Sequence, residues 1–470
     1  MKKTMIAVAL CSASAGCSAG SDGGLGEHQL VGVVGTAKEK LDVTSTKSLI
    51  KKQGNLDTVN DESARQTETQ SYYNTVHTGQ SGGSSGPTIS AASGGLGTLQ
   101  NFRDRYGFSA TETVTYYYNK GDLGIGREMH CVDGSGFASK ETACYVRNFA
   151  TDLASDQDKS EFRFGLSSNI AFANMAANKA FATVAMVFRG LASDPNKIFF
   201  VVYGPDANAT PPAFGATIAN AAALDRSGVL NDTAFRATGH PLGTPGGTYN
   251  NNIPSNCLTC HGGAPYDNSG HGQSGALFLP FDLDQFEYQT TSGKTRQDQL
   301  ESFKTLNEIV WKVDNAAGGS SAGASVVAQL NTWYGGPAPF AGNFNGANVI
   351  SGWSTSPATA TDTAFYSSTL RFACRNCHMA LPGITFDTAA QFKSNIAPSG
   401  GHGVVDDLCG YLMPQSLQAL RLFWQSQKPA AVEAYIRGLG FTPQANQLHA
   451  CGPGNVATLD PQLIAAITPG

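Results

Sequence analysis

The pattern Cys-x-x-Cys-His occurs twice, as Cys257-Leu258-Thr259-Cys260-His261 and as Cys374-Arg375-Asn376-Cys377-His378, and no other feature limits the chain's fold as much. At the chain's Cys and His frequencies one chance match is expected roughly 0.004 times, and two on the order of 10⁻⁵. A three-residue spacing puts both thiols on one side of a helical turn, with the histidine next to the second. Other uses of paired cysteines fit poorly. A thioredoxin-like redox pair wants its C-x-x-C near a βαβ pattern, which neither segment has. One zinc shared by four thiolates would leave both histidines redundant. A disulfide within either pair is sterically poor on a helical turn.

C-x-x-C-H is the attachment signature of c-type haem, and on these two motifs the chain resembles a dihaem c-type cytochrome. The resemblance implies two covalently bound haems, with thioethers at Cys257 and Cys260 and at Cys374 and Cys377. His261 and His378 are then the proximal iron ligands. The two segments read as a degenerate repeat. Leu279-Pro280-Phe281-Asp282, Phe286 and a helix from Gln299 follow the first motif; Ile384-Thr385-Phe386-Asp387, Phe392 and a helix from Leu417 follow the second. The matched positions of Asp282 and Asp387 read as caps or turns. Leu412-Met413-Pro414, just before the last helix, resembles the axial methionine of cytochrome c domains, so Met413 is the expected sixth ligand of the second haem. The matching place in the first unit, Lys294 to Gln297, holds neither Met nor His. His130 is the first candidate for that iron, followed by His271 and His240, with Met129 and Met186 behind them; an open iron is the remaining choice. Met/His ligation raises the potential, so a high-potential second haem and a lower-potential first one are expected.

The N-terminus agrees with attachment outside the cytoplasm. Lys2 and Lys3, the apolar Met5 to Leu10 and the small residues up to Gly16 follow the order of an export signal. Ser14-Ala15-Gly16-Cys17 resembles a bacterial lipobox, in which Cys17 becomes lipidated and tethers the protein to a membrane. The expectation is an exported lipoprotein of the periplasm or outer membrane of a Gram-negative bacterium. Past residue 20 no run approaches the roughly 18 apolar residues of a spanning helix. Charged residues are only 14% and the formal net charge is −5, so no basic surface advertises a nucleic-acid partner.

The remaining sequence divides into a signal (1–17), a Gly/Ser-rich tether with one possible helix at Glu62 to Val76 (18–98), an α+β or mostly β domain (99–240), and a mainly helical dihaem region with long loops (241–470). Within the last, haem unit 1 covers about 250–315 and haem unit 2 about 365–455. Val114 to Tyr118, Ala143 to Asn148, Phe181 to Phe188 and Ile198 to Tyr203 carry strand signals. Gln299 to Val313, Leu417 to Trp424 and Ala430 to Leu439 carry a helical period. The fold class expected is α+β. Of the other cysteines, Cys131 pairs with Cys144 and Cys409 with Cys451 in the local connectivity, one of three that four cysteines allow.

The function expected is extracytoplasmic electron transfer between redox partner proteins. The alternative is a dihaem peroxidase or oxygenase with the first haem as active site, and dihaem peroxidases and rubber oxygenases share the general plan. Glu287, Asp282 and Glu301 are present, but nothing in the sequence marks them as a distal acid/base pair. A third reading has the N-terminal domain binding a partner or substrate while the haems relay redox state.

Overall fold

Threonine, valine and aromatic residues, punctuated by Gly, Asn and Asp, dominate residues 113–218, and in a computed structural model of the chain they form strands. The structure describes residues 72, 96, 99–108, 112–121, 124–134, 141–149, 168–189, 197–206, 213–218, 255–263, 273–316, 321–381, 384–396, 404, 423 and 426–440, all within the unit Thr36–Gly470.

Six strands, β1 (Thr113–Asn119), β2 (Gly126–Val132), β3 (Thr142–Phe149), β4 (Ala180–Phe188), β5 (Lys197–Asp206) and β6 (Ala213–Ile218), form an antiparallel meander in chain order. Two short strands from further along complete the sheet: β7 (Gln273–Ser274) pairs with β5, and β8 (Phe286–Glu287) with β1. Gln299 finishes the β1 edge. Its side chain accepts from the Tyr116 amide at 2.6 Å and donates to the Tyr116 carbonyl at 3.0 Å, as a neighbouring strand would.

The register sorts side chains onto two faces, because successive residues of a strand alternate and paired residues point the same way. Cys131, Cys144, Met186 and Phe200 form one row across β2 to β5; Met129, Val146, Val184 and Val202 form the next. The opposite face carries His130, Tyr145 and Tyr203. It is covered by α1 (Leu99–Tyr106), whose Phe102 ring lies 6.3 Å from Tyr145 and 6.2 Å from Tyr203. A second helix, α2 (Ser168–Ala176), packs Met175 against Phe149 and Ala180.

The first face is covered by α3 (Ser255–His261), the strip 276–288, and the helical pair α4 (Leu300–Ala316) and α5 (Ser321–Tyr334). Phe303, Leu306, Ile309, Val310 and Val313 give α4 its buried stripe. Two polar residues on that stripe fix the strip in place. Asn307 bonds the amide of Phe281 at 2.8 Å and its carbonyl at 3.1 Å, and Asp314 accepts from the Phe278 amide at 3.1 Å. One cluster of buried side chains therefore runs from Tyr72 through Phe200 to Leu306 and Met379.

The rest of the described chain is helical: α6 (Ser351–Ser354), α7 (Ala360–Phe365), a π turn (Tyr366–Leu370), α8 (Arg371–Ala373), α9 (Arg375–His378), α10 (Ala389–Ser394) and α11 (Lys428–Gly438). A second buried cluster holds them, centred on Trp353, Phe365, Phe392 and Tyr435. Thr359 and Asp362 form a reciprocal capping box at the start of α7. The Asp362 carboxylate also accepts from Tyr435 on α11 at 2.6 Å and from Lys393 on α10 at 2.9 Å. An antiparallel sheet in the N-terminal part and helices in the C-terminal part make the fold α+β. Among the described residues no helix is long and apolar enough to cross a membrane.

Candidate functional site

The first C-x-x-C-H motif is one short helix, α3, which ends at its histidine. Gly262 and Gly263 follow with φ of +66° and +100°, a conformation that side chains disfavour, and end the helix there. The returning strand of residues meets the motif reciprocally. The Leu277 amide donates to the His261 carbonyl at 2.9 Å, and His261 Nδ1 donates to the Leu277 carbonyl at 2.7 Å. A carbonyl partner fixes the proton on Nδ1 and leaves the Nε2 lone pair available. Burial pushes the His261 pKa down to about 4, and Arg127 acts in the same direction, so the imidazole is neutral near pH 7. Cys257 is buried and Cys260 half-buried, both as free thiols, and burial raises the Cys257 thiol.

In front of this motif lies a cavity of about 160 Å³ that opens to solvent. The sheet supplies one wall with Arg127, Met129, Met186 and Phe200; Phe278 to Phe281 and α4 supply another. The Phe200 ring lies 5.4 Å from the His261 ring. Two residues that line this cavity each hold a buried polar atom, Asn119 Oδ1 and Arg127 Nε, without a hydrogen-bond partner among the described residues. Apolar walls, soft sulfur, one imidazole with a free lone pair and one guanidinium suit a flat, largely apolar iron macrocycle with an acidic edge. Among the described residues no three His, Cys, Asp or Glu side chains gather as a metal site of their own.

The second motif repeats the histidine's arrangement, although its first cysteine, Cys374, stands at the break before α9. His378 Nδ1 donates to the Ile384 carbonyl at 2.9 Å, and burial pushes its pKa down to about 4. The Phe386 ring stacks on the imidazole at 4.2 Å and 13°. Phe386 has φ of +51°, uncommon for a bulky residue, and the Trp353 indole donates to its carbonyl at 2.8 Å. Burial pushes the Cys374 thiol up to about 12. The side chain of Cys377 lies outside the described residues.

The two motif helices, α3 and α9, pack directly on each other, and Asn376 of the second and Met379 just after it reach the cavity of the first. Arg375, between the two cysteines of the second motif, is buried over Trp333, with its carbon 4.9 Å from the ring. It donates to the Tyr366 hydroxyl at 3.1 Å and forms an ion pair with Asp282 of the strip that follows the first motif.

His130 does not meet the first motif. It stands on the opposite face of the sheet, stacked on Tyr145 at 4.4 Å. Its Nδ1 lies 2.8 Å from Glu112 and its Nε2 2.7 Å from Glu128, so both nitrogens are taken. The alternation that turns Cys131 towards the cavity turns His130 away from it. Met129 and Met186, ranked behind it, are on the cavity side. Cys131 and Cys144 are directly paired in the register and form a disulfide with a Cα separation of 4.1 Å, and it lines the cavity wall. Lys294 lies over the Tyr116 ring at 4.3 Å, along the β1 edge. Asp282 caps a 3₁₀ turn at Leu283–Gln285, and Asp387 accepts from Thr385 at 3.0 Å. Glu287 pairs with Lys120 at 2.7 Å. Cys17, His240, His271, Cys409, Met413 and Cys451 lie outside the described residues, as does the helix expected at Leu417 to Trp424 apart from Phe423. Arg127 and Met379 belong to the site and were not singled out by the sequence, in which Phe386 reads only as part of the repeat and Arg375 only as a residue between the motif cysteines.

Comparison with protein-family models, with curated proteins and with solved structures finds no match to this chain.

Proposed function

We propose that this chain is a dihaem c-type cytochrome that carries electrons outside the cytoplasm between redox partner proteins. The observation that carries the reading is the matched pair of neutral histidines, His261 half-buried and His378 buried. Each closes a C-x-x-C-H segment, and each has Nδ1 tied to a backbone carbonyl, leaving Nε2 as a ligand of fixed direction. Each bound haem would supply a reversible one-electron iron centre.

The chain's own part is attachment, orientation and exclusion of water. Cys257 and Cys260, and likewise Cys374 and Cys377, would hold the two haems through thioethers, each thiol adding its S–H across one vinyl double bond with no oxidant needed. Phe200 and Phe386 pack against the two imidazoles and hold their planes. Arg127, on the wall of the first cavity, would offer a cation to an acidic edge of a bound haem. Direct packing of α3 on α9 favours exchange between the two centres. Export, lipidation of Cys17, a sixth ligand from Met413 and the Cys409–Cys451 pairing belong to the same reading.

The test is potentiometric titration and EPR of the full chain made in a host that exports it and attaches haem. Two low-spin centres and no steady peroxide turnover support an electron carrier. A high-spin centre that shifts with cyanide and turns over peroxide contradicts it and favours the dihaem peroxidase or oxygenase reading.

A further inference from the structure

We propose that Met186, a residue of the sheet, caps the first haem opposite His261. The inference rests on the dihaem reading above. A sixth ligand for the first iron must share the cavity with His261 and carry a donor that is not already engaged. Histidine fails that condition among the described residues, since His130 is on the far face between two carboxylates and His378 belongs to the second motif. The sulfurs that line this cavity beside Cys257 and Cys260 are the Cys131–Cys144 disulfide and the thioethers of Met129, Met186 and Met379. A thioether is a soft, neutral ligand suited to a haem iron.

The register separates the three. Met186 pairs directly with Phe200, the residue whose ring lies 5.4 Å from the His261 ring, so it stands one strand spacing from a residue packed beside the proximal ligand. Met129 sits two strands further across, on β2, in the neighbouring row. Met379 stands just past the end of the second motif helix, and its backbone amide donates to the Arg375 carbonyl. Met186 is also buried, as a ligand shielded from water should be, whereas Met129 is only half-buried.

The arrangement makes the first site a joint product of two parts of the chain. The haem segment brings the thiols and the imidazole, and the sheet brings the sulfur. A His/Met first centre would lie higher in potential than the low value expected from the sequence, narrowing the gap to the second.

The experiment compares the full haem-loaded chain with Met186→Leu, Met186→His, Met129→Leu and Met379→Leu. Haem per chain is counted first, then EPR, the far-red sulfur-to-iron absorption and both midpoint potentials are recorded. With two haems retained, Met186→Leu should convert one of the two centres to high spin and remove its share of the far-red band. Met186→His should restore low spin while lowering one potential and leaving the other in place. An unchanged spectrum in Met186→Leu, or the same loss produced by Met129→Leu or Met379→Leu instead, overturns the assignment. Absence of haem from the unmutated chain would be the failure of the dihaem reading itself, and the count separates the two.

Discussion

Arg375 and Asp282, 93 residues apart, form a buried ion pair that joins the second attachment motif to the strip behind the first. Both side chains are almost wholly enclosed, with 4% and 5% exposure. Burial raises the Asp282 carboxyl, and Arg375 opposes that shift. The two sites are therefore mechanically linked. Removing one partner leaves an uncompensated buried charge, which costs about 3–5 kcal/mol. Arg375→Gln should lower the unfolding free energy by that order and reduce haem attachment at both motifs. Arg375→Gln with Asp282→Asn should lose less than the sum of the two single changes. Denaturant titration of the four proteins measures the coupling, and strict additivity would contradict it.

The disulfide Cys131–Cys144 spans a sequence separation of 13. Closing a loop of that size stabilises by about 3 kcal/mol. The Cys131→Ala/Cys144→Ala double variant should lose stability of that order, and so should the unmutated protein after reduction. Thermal unfolding with and without reductant checks both. Reductant should leave the double variant's midpoint unchanged.

Asp362 ties α7, α10 and α11 together. Burial raises its carboxyl, but hydrogen bonds from Tyr435, Lys393 and Thr359 outweigh that and hold it at about 2. A depressed carboxylate stabilises the fold above its unfolded pKa, roughly 3.9, and loses that contribution as pH falls through the folded value. About 2 kcal/mol should therefore disappear between about pH 4 and pH 2. Tyr435→Phe should shrink the acid-dependent part, as read from urea midpoints across that range.

Arg127 has no carboxylate partner among the described residues, and it lines the first cavity. If it balances an acidic edge there, Arg127→Gln removes a positive charge near one centre and favours the oxidised form. One midpoint potential should fall and the other should stay. Equal shifts of both would point to a general loss of packing.

Much of the fold was legible because side-chain period and composition agree with it. Val114 to Tyr118 and Ile198 to Tyr203 read as strands and fall within β1 and β5; the buried stripe of α4 was visible at Phe303, Leu306 and Ile309. β2 escaped notice because Gly126-Arg127-Glu128 opens it with residues that rarely mark strands, and its pairing comes from β1 and β3. That omission also misplaced His130. Once residues 126–132 are a strand, a disulfide on the cavity side at Cys131 requires the neighbouring histidine to face away. The α5 helix begins Ser-Ala-Gly-Ala-Ser, which carries little helical period, and it forms where α4 offers a partner. The Arg375–Asp282 pair was out of reach, since nothing local links residues so far apart.

The decisive measurement is the haem count of the exported chain, by intact mass and pyridine haemochrome absorbance, for the unmutated protein and for Cys257→Ala/Cys260→Ala and Cys374→Ala/Cys377→Ala. Two covalent haems in the first and one in each variant is the predicted result. A chain that leaves the same host folded, with all four motif thiols still free to alkylate and no haem bound, would contradict it.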